Sequence, residues 1–200
     1  MDDGYRQLRE RYETGDVPWD AELPPPEVME MVERLPPGRA LDLGCGYGRT
    51  AIYLAQHGWQ VDAVDFVELA LEEAERRAAE AGAEVAFHHG SVTDLDFLDG
   101  LYDLAVDVGC GHALDEEALR AYRDELRRLL RTGAVFLFFA RIRDGGADPG
   151  EEDDGPRGLD QPLFRRYFAQ GFHLYRYEPG ITEMDDGNSW KSAWFWLRRT

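Results

Sequence analysis

The sequence predicts an α/β fold: a mostly parallel sheet covered on both faces by helices. Two observations carry the prediction. From Arg39 to Arg141, short apolar runs alternate with helical segments of 10–16 residues, which is the rhythm of parallel strands joined by crossover helices. The stretch "LDLGCGYG" at 41–48 sets three glycines at alternate positions where the first strand hands over to its helix. With 200 residues and 44% hydrophobic content, the chain has enough apolar surface for one compact domain. A single domain is therefore expected over 1–200, with an N-terminal helical cap segment at 1–37 and the core at 38–200.

Tyr5, Leu8 and Tyr12 share a helical face, predicting a short amphipathic helix before the loop "ETGDVPWDAELPPP". The prolines at 24–26 open the helix "PEVMEMVERL", since a fixed φ suits a first turn whose N–H groups lack helical partners. Pro36, Pro37 and Gly38 stop it. The strand "RALDL" then leads to a helix over 48–57, and the strand "QVDAVD" to the helix "VELALEEAERRAAEA". The strand "EVAFHH" is followed by a short connection, "SVTDLDFLDG". "YDLAVDVG" is the fourth strand, "DEEALRAYRDELRRLL" the next helix and "GAVFLFFAR" the fifth strand. An acidic, glycine-rich loop at 144–155 reads as a mobile surface connection. A helix near "QPLFRRYFAQ" follows, and the last two strands, "HLYRYE" and "SAWFWLRR", have no helix between them, which predicts an antiparallel pair at the sheet edge.

The charge balance narrows the partners. Lys and Arg number 22 against 40 Asp and Glu, a net charge of −18 that repels a phosphate backbone and argues against nucleic acid. Cys45 and Cys110 each stand between glycines, with no Cys-x-x-Cys pair or His spacing that suggests zinc, so no metal is expected and a reducing cytoplasmic compartment fits. The charged N-terminal residues do not resemble a signal peptide, and no apolar run approaches a membrane span.

The glycine turn brings backbone amides and a helix N-terminus close to a polar ligand, because no Cβ blocks the approach. A dinucleotide site reads G-x-G-x-x-G, whereas Gly44, Gly46 and Gly48 are spaced G-x-G-x-G, with Arg49 at the sixth position. Asp65 ends the second strand at the distance expected of an acid that accepts hydrogen bonds from a ribose diol. A glycine turn and a ribose acid, without a third dinucleotide glycine or a Walker lysine, fit an adenosine ligand that has no phosphate bridge.

These residues carry a resemblance. "LDLGCGYG", with Asp65 closing "WQVDAVD", resembles the cofactor motifs of class I S-adenosylmethionine-dependent methyltransferases, over nearly all of the chain from about residue 17. The resemblance implies a Rossmann-like, doubly wound, seven-stranded sheet in three α/β/α layers, with an antiparallel last strand and S-adenosyl-L-methionine as cofactor. It implies a cofactor-binding set of Trp19, Asp42, Gly44, Cys45, Gly46, Gly48, Asp65, Phe66, Ser91, Val92 and Asp107. In that family the glycine turn lies beside the methionine part and the acid holds the ribose hydroxyls. Ser91 replaces an aspartate that meets the adenine amino group in many members, and Val92 is placed for backbone contact to the ring. "GDVPWD", "GSVTDLDF", "YDLAVDVGCGHAL" and "GPRGLDQPLFRRYF" are similar to segments of the thiopurine and thiol/halide group. "DVGCGHAL" lacks the arginine that commonly follows the aspartate there, and two cysteines fall short of the three associated with arsenite methylation.

Several roles stay open at this level. Trp19 either covers the cofactor's sulfonium or anchors the N-terminal segment, and Asp42 either binds or holds the turn. Asp107 lies where the methyl group is to be presented, and His112 just past it is placed for a general base should the acceptor carry a proton. Methyl transfer from a sulfonium needs collinear reactants more than acid–base groups, and holding them together is worth about 7–11 kcal/mol in favourable cases. The expected function is methylation of a small molecule, with a thiol or other soft nucleophile preferred, by a monomer or weak homodimer that uses neither membrane nor nucleic acid. O- or N-methylation of a small metabolite, a non-catalytic cofactor-binding module and a nicotinamide oxidoreductase are the alternatives.

Overall fold

The computed structural model describes residues 3–143, 158–183, 187 and 189–200; the side chain of Tyr5 and the acidic loop 144–155 lie outside the described residues. Backbone contacts group the chain into two compact units, Met1–Val92 and Thr93–Thr200.

The first unit contains α1 (Asp3–Thr14), α2 (Pro26–Arg34), β1 (Arg39–Leu43), α3 (Arg49–Gln56), β2 (Gln60–Asp65), α4 (Glu68–Ala81) and β3 (Val85–His89). Its strands are parallel, with Leu43 opposite Val64 and Val64 opposite His88. Leu41, Leu43, Ala63 and Val64 are fully buried, as a parallel strand between helical layers requires. Val28, Met31 and Val32 bury one face of α2, as the proline-delimited segment predicts.

The second unit contains β4 (Tyr102–Val108), a 3₁₀ turn (Gly111–Ala113), α5 (Glu116–Leu129), β5 (Leu130–Arg141), α6 (Gln161–Phe168), β6 (Phe172–Glu183) and β7 (Ser189–Arg199). Asp115 caps α5 by accepting from the Ala118 N–H at 2.9 Å, and Leu119, Tyr122, Leu126 and Leu129 form its buried face. β4 and β5 are parallel, whereas β7 is antiparallel to both β5 and β6. Phe138, Phe164, Phe168 and Phe195 form an apolar cluster with ring centroids 4.3–5.8 Å apart. The seven strands run in the order β3-β2-β1-β4-β5-β7-β6, a mostly parallel sheet flanked by helices with an antiparallel end.

Three strands exceed their expected bounds. β6 continues through Pro179 and Gly180 to Glu183, and β7 begins at Ser189. Proline is tolerated there because β6 is the outer strand, where one edge of the backbone needs no sheet partner. β5 begins at Leu130, directly after α5, with a register shift opposite Tyr102–Leu104.

Candidate functional site

In the first unit, the glycine turn hangs from the end of β2. The Gly44 and Cys45 N–H groups both donate to the Val64 carbonyl, at 2.8 and 3.0 Å. The Gly46 N–H donates to Asp65 Oδ2 at 2.8 Å, and the Val67 N–H to Asp65 Oδ1 at 2.9 Å. Asp65 therefore fixes the turn as well as facing it, a duty with no signature in the sequence because its partners are backbone groups. Burial pushes its carboxyl above the usual range, opposed by the N–H groups of Val67, Gly46 and Phe66. Three N–H groups meet a carboxylate with about four lone-pair sites, so Asp65 retains capacity for a further donor.

The glycines divide the work. Gly46 has φ +53°, and a Cβ there would approach only the Tyr12 hydroxyl, at 3.1 Å. Gly48, at φ +80°, has no such freedom: a Cβ would press on Ala74 at 3.1 Å and the Phe87 ring at 3.3 Å. Gly48 thus brings the start of α3 against α4 and β3, while Gly46 leaves backbone bare.

Tyr12, which the spacing Tyr5, Leu8, Tyr12 marks only as a packing member of a helical face, brings its hydroxyl to the glycine turn. Its hydroxyl accepts from Trp19 Nε1 at 3.3 Å, and its ring meets those of Tyr47 and Trp19 edge-on, with centroids 5.2 and 6.0 Å away. Burial, then the Asp65 carboxylate, raise its hydroxyl well above the ordinary tyrosine range, so it stays protonated. Trp19 is 40% exposed, and neighbouring Asp20 holds the Arg77 guanidinium by two 2.9 Å bonds, tying this loop to α4. The Gly90 N–H donates to the Asp65 carbonyl at 3.0 Å, which brings the exposed Ser91 and the buried Val92 beside Asp65 and the half-buried Phe66. Asp42 is buried on β1, where its charge favours the Arg49 guanidinium, whose pKa burial lowers.

In the second unit, Asp107 is fully buried at the end of β4. Its Oδ1 accepts from the Cys110 N–H at 2.8 Å; its Oδ2 accepts from the Gly111 N–H at 2.9 Å and the Tyr122 hydroxyl at 2.7 Å. A Cβ on Gly111 would lie 2.9 Å from Asp107 Oδ2, so only glycine lets the chain fold back so tightly. Tyr122 carried no distinguishing signal, since its spacing on α5 matches that of its apolar neighbours. His112 is 6% exposed, and its Nδ1 accepts from the Arg141 main-chain N–H at 3.3 Å. Burial, then the Arg141 charge, lower its pKa to about 4, leaving a neutral imidazole at pH 7.

Burial raises the Asp107 carboxyl to about 6 from 3.8, against the pull of its hydrogen-bond donors. A raised carboxyl contributes stability that is full below the unfolded value and is lost as pH rises through the folded one. Asp107→Asn is expected to flatten that dependence, gaining about 3 kcal/mol on the wild type between pH 3.5 and pH 7.5 in urea unfolding. Parallel pH profiles for the two proteins would contradict the burial argument.

Among the described residues no group of three His, Cys, Asp or Glu side chains is placed to hold a metal, and no helix is long and apolar enough to cross a membrane.

Comparison with known proteins supplies the context. Residues 40–133 match a family described as a methyltransferase domain. The chain is 26% identical over 199 residues to a 2-heptyl-1-hydroxyquinolin-4(1H)-one methyltransferase of Mycobacteroides abscessus, covering 90% of this chain and 86% of that one. It is 30% identical over 98 residues to an uncharacterized methyltransferase of Schizosaccharomyces pombe, covering 48% of this chain and 68% of that one. A similar fold, with TM-score 0.73 and 24% identity over 98% of this chain and 86% of the other, occurs in a 1,6-didemethyltoxoflavin-N1-methyltransferase of Burkholderia thailandensis, solved with 1,6-didemethyltoxoflavin and S-adenosylhomocysteine.

Proposed function

We propose that this chain, which belongs to the class I S-adenosylmethionine-dependent methyltransferases, methylates a small molecule at an atom that arrives without a proton to remove. One observation carries the cofactor half of this reading: Asp65 clamps the Gly46 N–H while that glycine's missing side chain leaves the turn open. The residues fit the cofactor. Asp65 has remaining acceptor capacity for a ribose hydroxyl, Gly44–Gly48 offer bare backbone, and Phe66, Ser91 and Val92 border the acid for the adenine. When bound, S-adenosyl-L-methionine supplies an electrophilic methyl group on a sulfonium. The Tyr12 hydroxyl faces Gly46, and its ring meets that of Trp19 edge-on, an aromatic pair that excludes water from this side of the turn.

The acceptor half rests on Asp107 and His112. Asp107 is fully buried with donors on both oxygens, and His112 Nδ1 is occupied by the Arg141 N–H, so neither presents a free basic atom to solvent. We read Asp107 as the pin of the β4 turn. A thiolate suits such a site, as does an acidic hydroxyl or a ring nitrogen with a free lone pair. The segments similar to the thiopurine and thiol/halide group favour sulfur. The relatives named for a hydroxyquinolinone and for N1 of 1,6-didemethyltoxoflavin favour a heterocyclic acceptor.

The test is a pair of measurements. Titration calorimetry should show binding of S-adenosylmethionine and S-adenosylhomocysteine but not NAD, and labelled methyl should pass to at least one class in a panel of thiols, hydroxylated heterocycles and amines. Binding of NAD alone would sink the cofactor reading. Transfer confined to alkyl alcohols or protonated amines would sink the claim about the acceptor.

A further inference from the structure

Within the first unit, one donor at the glycine turn is left without an acceptor. The Tyr12 hydroxyl uses a lone pair to accept from Trp19 Nε1 at 3.3 Å, and its own proton meets no acceptor among the described residues. Asp65 bears on Tyr12 through its charge alone, since its own bonds go to main-chain N–H groups. The hydroxyl faces a gap. A Cβ built on Gly46 would stand 3.1 Å from the Tyr12 oxygen and within 4 Å of no other atom, so the missing side chain leaves space between bare backbone and this O–H. The ring that carries it is held in place: Tyr47 and Trp19 meet it edge-on, with centroids 5.2 and 6.0 Å away. Asp20, next to Trp19, ties the same loop to α4 through Arg77.

We propose that Tyr12 is a cofactor-binding residue whose O–H donates, across the gap at Gly46, to the methionine carboxylate of S-adenosylmethionine. This deepens the methyltransferase reading and rests on it. Two considerations select the carboxylate among the cofactor's groups. It is the cofactor's one anion, and a hydrogen bond to an anion is about twice as strong as one between neutral groups. The surroundings of the turn also favour negative charge, because α3 starts directly after Gly48 with no side-chain cap, no acidic residue in its first turn and Arg49 as its first residue. A ribose hydroxyl, by contrast, is a donor, which is what the remaining lone pair of Asp65 calls for. Burial and the Asp65 charge keep the Tyr12 hydroxyl protonated, so it stays a donor at neutral pH.

Calorimetry with two ligands tests the proposal. Decarboxylated S-adenosylmethionine keeps the adenosine, the sulfonium and the amine and lacks only the carboxylate. The wild type should bind S-adenosylmethionine on the order of tenfold or more tightly than the decarboxylated form. Tyr12→Phe keeps the ring against Trp19 and Tyr47 and removes the O–H. It should weaken binding of S-adenosylmethionine about tenfold and leave the decarboxylated ligand within about twofold of its wild-type affinity. Trp19→Phe removes the N–H that fixes the hydroxyl but spares its proton, and should retain part of the preference for the carboxylate. Equal losses for both ligands in Tyr12→Phe are what a merely structural role would give, and they overturn the proposal, as does no loss for either. A wild type that binds both ligands equally overturns this proposal and leaves the cofactor reading intact, whereas a wild type that binds neither fails at that reading.

Discussion

Asp65→Ala is expected to lower affinity for S-adenosylmethionine by a hundredfold or more while changing the unfolding temperature little. Two terms oppose each other in the folded chain. Removing the carboxylate orphans the Gly46 and Val67 N–H groups, each bonded at 2.8–2.9 Å, and an unsatisfied buried donor costs about 1–3 kcal/mol. The same substitution relieves the burial of a charge whose desolvation outweighs its hydrogen bonds, as the raised carboxyl shows. Binding has no such compensation. The ribose loses a charge-assisted acceptor, worth about 1.5–3 kcal/mol, and Gly46 loses the bond that fixes its N–H in place. Asp65→Asn, which keeps one acceptor oxygen, should fall between. Calorimetry alongside thermal unfolding decides the matter. A variant that loses binding only in proportion to lost folded protein would make Asp65 a structural residue alone.

The strand rhythm was legible because each break is written in local chemistry: Pro36, Pro37 and Gly38 before β1, the glycines after it, Asp115 at the start of α5. The errors at the ends of β5 and β6 have different causes. Pro179-Gly180 reads as a stop, and only position at the sheet edge makes it harmless; α5 runs into β5 with no turn residue before Gly133. Within the site, the glycine turn and Asp65 could be named from spacing, whereas the hydrogen bonds that define their roles could not. The Gly46 N–H, the Val67 N–H and the Arg141 N–H are main-chain donors that any residue supplies, so the clamp by Asp65 and the tautomer of His112 leave no trace in the letters. Tyr12 and Tyr122 are hidden differently. Each is spaced as one more apolar member of a helical face, and only tertiary packing turns its hydroxyl toward Gly46 or Asp107.

Gly46→Val should be the most damaging single change to binding, with affinity for S-adenosylmethionine reduced at least a thousandfold and methyl transfer lost. Three effects act at one atom. At φ +53° a β-branched residue meets its own carbonyl, a strain of at least about 1–2 kcal/mol that the turn relieves only by rotating. Rotation swings the N–H away from Asp65 Oδ2, undoing the clamp. The new methyl groups then fill the space between the turn and the Tyr12 hydroxyl, where the ligand is to meet bare backbone. Gly46→Ala separates these effects: its single methyl faces only the end of a tyrosine side chain, which gives by a few tenths of an ångström, so strain dominates and the loss is smaller. Gly48→Ala provides the contrast, because its Cβ presses on Ala74 and Phe87 inside the unit and should lower the unfolding temperature more than Gly46→Ala does. The ordering, binding lost first at Gly46 and stability lost first at Gly48, follows from which side of the turn each glycine faces. A Gly46→Val protein that binds the cofactor within tenfold of wild type would show that the ligand never touches this backbone.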